Sequence, residues 1–207
     1  MKTIICLNGK RHSGKSTIEA IIKDIIGGNV VSYQMATMLK KIVSDLTSCD
    51  IKDLENPTFK QSISTFKSYT DDGIKEYTYR DLLIGIGKLI RSYNNDIFID
   101  DVIRFIDHCK SKYIIIPDVR EKHELLSLKA HAVDNNYNFY VFRIERVGLN
   151  LNDAHSNDKT ETDLDDYCDF SSIICNDSDI KHLYTVMYDI LKHYKIINTP
   201  FKEQLLF

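Results

Sequence analysis

The sequence predicts an α/β fold, a parallel sheet of five strands with helices on both faces. Short apolar, β-branched runs alternate along the chain with segments whose apolar residues follow helical spacing. Right-handed crossovers between successive parallel strands put those helices on both sides of the sheet. No internal repeat intervenes, and 207 residues bury one sizeable core without disulfides or a structural metal. One domain spanning 1–207 is therefore expected.

Thr3 to Leu7 reads as a buried strand, ended by Asn8-Gly9. From Ser16, the residues Ile18, Ile21, Ile22 and Ile25 keep helical spacing until Gly27-Gly28 stops the helix. Val30 to Tyr33 forms a second strand, and Met35 to Leu46 a helix with Met38, Leu39, Ile42 and Val43 on one side. Asn56-Pro57 closes that region. Residues 58 to 78 are polar and dotted with aromatics; they fix no element beyond a turn at Asp71-Asp72-Gly73. Tyr79 to Ser92 reads as helix although Gly85 and Gly87 together cost about 2 kcal/mol of propensity. Ile97 to Cys109 is another amphipathic helix. Then come the apolar strand Tyr113 to Ile116, Pro117-Asp118, a helix from about Glu121 to Val133, and a strand from Phe139 to Ile144. Residues 145 to 169 are loop-like and acid-rich, with Lys159 their lone lysine. A fifth strand at Ser172 to Cys175 and a helix from Asp179 to Tyr194 complete the pattern, and the last dozen residues read as a tail or docked extension.

Composition narrows the partners. Hydrophobic residues at 43% and charged residues at 28% are those of an ordinary globular protein, and three prolines with eight glycines argue against low complexity. A net charge of −3 gives no global pull toward nucleic acid or an anionic membrane, so any phosphate binding must come from a local pocket. The opening apolar run is too short for a secretory leader, and nowhere is there a run near the ~20 residues a membrane span needs. Five scattered cysteines without a CxxC pair read as reduced thiols of a cytoplasmic protein.

Gly9-Lys10-Arg11-His12-Ser13-Gly14-Lys15-Ser16-Thr17 fits G-x-x-x-x-G-K-[ST] between a strand and a helix. Gly9 lets the chain turn off the strand, and Gly14 lets backbone N–H groups approach phosphates with no Cβ in the way. Lys15 would reach the β/γ-phosphates of ATP, and Ser16 would offer its hydroxyl to Mg²⁺. Arg11, flanked by Lys10 and His12, adds cations where a kinase with a phosphorylated acceptor must neutralise two ligands; solvent-facing loop charges are the alternative. A second cluster follows the apolar strand at Asp118-Val119-Arg120. Ligands of open parallel sheets sit beyond the carboxyl ends of strands. There Asp118 would hold a magnesium-bound water or the acceptor, and Arg120 would clamp a phosphate bidentately. Asp118 as a helix N-cap is the plainer reading, compatible with the first.

These residues resemble the deoxynucleoside monophosphate kinases of bacteriophages. Similar segments run through most of the chain: the loop, Tyr33 to Ala36 with Lys40, Tyr79 to Leu83 with Arg80, Gly87 and Arg91, Pro117 to Arg120 with His123-Glu124, Phe142-Arg143, and Thr160-Glu161 leading to Asp169 and Asn176-Asp177. The resemblance implies ATP-dependent phosphorylation of a nucleoside monophosphate on a P-loop kinase sandwich of strand order 2-3-1-4-5. It implies an acceptor-binding helical region at about 34–110 carrying Lys40, Arg80 and Arg91, and a lid at about 145–161. Arg143 would then lie where charge spreads in the transition state. Ser16 stands where those kinases often have an acid, and Ile84 where they tend to have glutamine.

The loop and the Thr160-Glu161, Leu164-Asp165 and Asp169-Phe170 pairs also resemble animal-type phosphomevalonate kinase, an ATP kinase acting on another phosphate monoester. The Tyr79 to Phe98 segment favours the nucleotide kinase. A P-loop nucleotide-binding module without transfer activity is a third reading, in which Arg11, Arg80 and Arg120 would be incidental. The aromatics of 59 to 110 build either a helical core or a face for a homodimer.

Overall fold

The computed structural model describes residues 1–146, 148 and 162–198. It divides the chain into two compact units, Met1–Gln34 with Phe105–Phe207, and Met35–Arg104.

The first unit holds the sheet. Its strands are β1 (Thr3–Asn8), β2 (Val30–Ser32), β5 (Tyr113–Ile116), β6 (Asn138–Glu145) and β7 (Ser172–Cys175), all paired in parallel in the order β2-β5-β1-β6-β7. Counting only these five gives 2-3-1-4-5, because β3 (Ile63–Thr70) and β4 (Gly73–Thr78) form a separate hairpin. All six residues of β1 are buried, as a central strand covered on both faces requires. Successive side chains point to opposite faces. Ile5, Leu7, Ile115, Phe142 and Ile144 pack with Ile18, Ile21 and Ile22 of α1 (Lys15–Ile26) and Leu183, Met187 and Leu191 of α7 (Ile180–His193). Ile4, Cys6, Ile114 and Ile116 face the other way, toward the side of α6 (Lys122–Asp134), whose Leu125, Leu128 and Ala132 are buried. α1 ends on Gly27 at φ 79°, the stop expected from the Gly27-Gly28 pair.

The second unit contains α2 (Thr37–Thr47), a 3₁₀ turn (Asp53–Glu55), α3 (Pro57–Gln61), β3 (Ile63–Thr70), β4 (Gly73–Thr78), α4 (Tyr79–Tyr93) and most of α5 (Ile97–His108). Its core gathers Val43, Leu54, Tyr79 and Leu82, with Phe59 stacked on Tyr79. Gly87 is buried where α4 meets α2; a Cβ there would lie 3.2 Å from Leu39 Cδ2, so the small residue allows the close approach. Thr78 caps α4, accepting from Asp81 N at 3.1 Å while its own N–H donates to Asp81 Oδ2 at 2.9 Å.

One expectation needs correction here: the stretch 34–110 is not wholly helical, because β3 and β4 form an antiparallel hairpin within it. Its turn holds the Asp71-Asp72-Gly73 signal, with Thr70 paired to Gly73 and Gly73 at φ 123°. Almost every residue of the hairpin is at least partly exposed, so neither face imposes the apolar alternation that marks a strand in sequence. Phe66, Tyr69 and Ile74 are exposed there, as are Ile84, Leu89 and Tyr93 on α4, so the aromatics and aliphatics of this region are only partly core. Among the described residues no helix is long and apolar enough to cross a membrane.

Candidate functional site

β1 is the centre of the sheet, and its carboxyl end delivers the glycine-rich loop between β5 and β6. The loop's geometry follows from its glycines. Gly9, His12 and Gly14 have φ of 154°, 62° and 106°, three left-handed positions within six residues. A Cβ on Gly9 would come within 2.5 Å of Ile144 O and 2.6 Å of Ser13 Oγ; one on Gly14 would meet Asn176 Nδ2 at 2.3 Å. Ser13 N–H donates to Lys10 O at 3.1 Å, closing a turn, and Asn176 Nδ2 donates to Ser13 O at 2.8 Å. Lys15 Nζ folds over the loop and donates to Gly9 O and, at 2.8 Å, to Lys10 O.

This cradle suits a phosphate chain. α1 starts at Lys15 with no side-chain cap, and its first turn brings no acid of its own to the terminal N–H groups. Ser16 and Thr17, at the second and third helical positions, are exposed, as is His12, while Arg11 is half-buried. Ser13 is buried, and its Oγ has no hydrogen-bond partner among the described residues. Loop backbone, Lys15 and the Ser16 hydroxyl thus match ATP and Mg²⁺ in donor chemistry.

Beneath the loop runs a polar network that sequence reading only half exposed. Asn8, buried and last in β1, is paired in register with Arg143 of β6. Arg143 is also buried and donates to Asn8 Oδ1 at 2.8 Å, Leu164 O at 3.2 Å and Asp165 Oδ1 at 2.5 Å. Asn8 Nδ2 donates to Val119 O at 2.9 Å, which ties the loop's start to the Asp118–Arg120 segment after β5. Lys10 Nζ lies 3.1 Å from Asp165 Oδ2. Burial pushes the Asp165 carboxyl up, but hydrogen bonds from Arg143 and Lys10 outweigh it and hold the pKa below the usual carboxylate value. Asn8 carries no local signature of this role, and the pairing of β1 with β6 brings it to Arg143; Asp165 meets Arg143 from the segment that precedes β7.

Asp118 is half-buried and Arg120 exposed, both at the carboxyl edge of β5. The N-cap of α6 is Glu121, so the helix-cap reading of Asp118 does not hold. Glu124, one turn on, accepts from Arg120 N at 2.9 Å and Glu121 N at 3.1 Å, which fixes the backbone beside Asp118. Burial pushes the Glu124 carboxyl up, against the two backbone N–H groups that lower it. A raised folded-state pKa stabilises fully below the unfolded value and is lost as pH rises through the folded one. Glu124→Gln removes that titration. Its Tm relative to wild type should therefore rise between about pH 4 and about pH 7, as thermal melts at the two pH values will show.

The remaining candidates belong to the second unit. Lys40 is buried and pairs with Glu55 at 2.5 Å. Arg80 follows Tyr79 at the start of α4, its Nε buried without a hydrogen-bond partner among the described residues. The Arg91 guanidinium lies 4.8 Å from the Phe98 ring centroid. Of the expected lid at 145–161, most lies outside the described residues; Arg146 Nη1 donates to His12 O at 3.4 Å.

No family model and no curated protein matches the chain. Among solved structures, it is similar to the Mycobacterium tuberculosis APS kinase CysC as a Cys556Ala mutant, at 11% identity, covering 92% of this chain and 97% of that one with a TM-score of 0.48. The same kinase in complex with AMPPNP and APS aligns at 8% identity over 92% and 98% of the two chains, with a TM-score of 0.44. Similarity at that level leaves function to the residues of the site.

Proposed function

We propose that this chain is an ATP- and Mg²⁺-dependent phosphotransferase that converts a (deoxy)nucleoside monophosphate to its diphosphate. The observation that carries the reading is the loop after β1. Its two glycines occupy left-handed positions where an added Cβ would clash, and Lys15 is folded across it at the N-terminus of α1. When bound, ATP supplies the phosphoryl group and Mg²⁺ neutralises its charge. Gly9, His12, Ser13, Gly14 and Thr17 would line the phosphates, Lys15 would hold the β/γ-phosphates, and Ser16 would be the protein's ligand to the metal. Arg11, Asp118 and Arg120 would receive the acceptor phosphate. Arg143 would lend positive charge to the transferred group while its guanidinium stays bonded to Asn8, Leu164 and Asp165.

The nucleotide class of acceptor rests on the second unit. A base needs apolar or aromatic faces with a few polar groups; of the aromatics Phe59, Phe66, Tyr69, Tyr77 and Tyr79, this unit keeps Phe66, Tyr69 and Tyr77 at least partly exposed beside Arg80 and Arg91, while Tyr79 and Phe59 stack in its core. A panel of nucleoside and deoxynucleoside monophosphates with 5-phosphomevalonate tests it: a deoxynucleoside monophosphate should be phosphorylated well and 5-phosphomevalonate should not. The reverse result would replace the acceptor.

Arg120→Lys separates the two phosphate sites. An ammonium cannot make the bidentate pair, so the acceptor's KM should rise and kcat fall while ATP affinity changes little. Equal damage to ATP affinity, read by titration with a fluorescent ATP analogue, would move Arg120 to the donor site.

A further inference from the structure

We propose that Asp165 positions the phosphate loop from outside it, gripping the loop on both sides of Gly9 with one carboxylate. Its Oδ1 accepts from Arg143 at 2.5 Å and its Oδ2 lies 3.1 Å from Lys10 Nζ. Arg143 passes the grip to Asn8, the residue before Gly9, at 2.8 Å; Lys10 is the residue after it. The loop's first turn is thereby held from the core side through Arg143 and Asn8, and from the solvent side through Lys10.

The acid arrives on a fixed support. Leu164 is buried, and its carbonyl accepts from Arg143 at 3.2 Å. Asp163 accepts from Lys122 N, the first residue of α6, at 2.7 Å, where a carboxylate also meets the positive end of the helix. Asp166 pairs with Lys122 Nζ at 2.6 Å and Asp169 with Lys129. These last two pairs are exposed and individually weak, so the buried Leu164 and the Asp163 bond give the segment its footing.

Charge explains why an acid is needed. The Arg143 side chain is only 10% exposed, and a guanidinium that buried requires a counter-ion. Asp165 supplies it at 2.5 Å, with Glu145 Oε1 farther off at 3.5 Å from Nε, and the second oxygen of Asp165 takes up the Lys10 ammonium. Lys10 is thus paired with an acid in the nucleotide-free loop. The loop is held before any nucleotide arrives, which spares binding energy from ordering it.

The test reads the loop directly. The Ser13 amide, bonded to Lys10 O, reports on the turn through hydrogen exchange in the nucleotide-free protein. Asp165→Asn should speed its exchange on the order of tenfold while amides of α7 keep their protection. Asp165→Glu should restore part of the slowing, and KM for ATP in Asp165→Asn should rise by roughly tenfold, more than kcat falls. Ser13 exchange as slow as wild type in Asp165→Asn would overturn the proposal. If that variant does not fold, Lys10→Met removes only the solvent-side grip: faster Ser13 exchange supports the proposal, and unchanged exchange overturns it. The effect on KM rests on the kinase reading, whereas the exchange does not. A loosened loop in a protein without acceptor-dependent turnover keeps the positioning role and ends the kinase reading; a tight loop in an active kinase does the opposite.

Discussion

Lys15→Ala will lower kcat by at least about a hundredfold and leave the protein folded. The ammonium is the loop's own cation over the cradle, and its charge matters most as negative charge builds on the transferred group. The side chain is not idle without ligand, because it bonds Gly9 O and Lys10 O. Those bonds are partly exposed and, after exchange with water, hold about 1–2 kcal/mol. A melt should therefore show Tm lower by only a few degrees, about 2–4 °C per kcal/mol in a chain this long. Steady-state kinetics beside that melt separate the two effects. A folded variant with near-normal kcat would end the assignment of Lys15.

Gly9→Ala will cost stability outright. The added Cβ would meet Ile144 O at 2.5 Å and Ser13 Oγ at 2.6 Å, and φ is 154°. Ile144 lies within β6, whose pairing with β1 keeps its carbonyl from giving way cheaply. Strain and overpacking together should amount to about 2–4 kcal/mol. Tm should drop by roughly 5–15 °C. Gly14→Ala carries the backbone strain of φ 106° but meets only the end of the Asn176 side chain, so it should lose less stability than Gly9→Ala while breaking the bond to Ser13 O. Gly85→Ala is the control: nothing lies within 4 Å of the new Cβ, and the helix should gain about 0.5–1 kcal/mol. Thermal melts of the three variants should fall in that order. A Gly9→Ala protein as stable as wild type would mean that the loop does not hold this geometry.

What could be read in the sequence follows from how each element is stabilised. β1, β5 and α1 bury whole apolar runs or one stripe, and such burial writes itself into residue order. The loop was legible because its glycines answer local demands on φ and space. The hairpin of β3 and β4 was not, since exposed strands leave composition unconstrained. The network around Arg143 is legible only in part for another reason. Asn8 reads only as a strand end and Asp165 only as half of the Leu164-Asp165 pair; their bonds to Arg143 come from the fold, for Asn8 through strand pairing. For Asp118 the alternative of a helix cap does not hold, because α6 begins later, at Lys122, where Glu124 can hold the backbone of Arg120 and Glu121.

The most direct test of the account is ADP formation by the purified protein with ATP and Mg²⁺, measured with and without a mixture of deoxynucleoside monophosphates. A phosphotransferase whose site discriminates against water should release ADP at least about tenfold faster with acceptor, accompanied by an equal amount of nucleoside diphosphate from the acceptor, and Lys15→Ala should abolish both. ADP released at one rate regardless of acceptor, or no ADP at all from a folded protein, would contradict it.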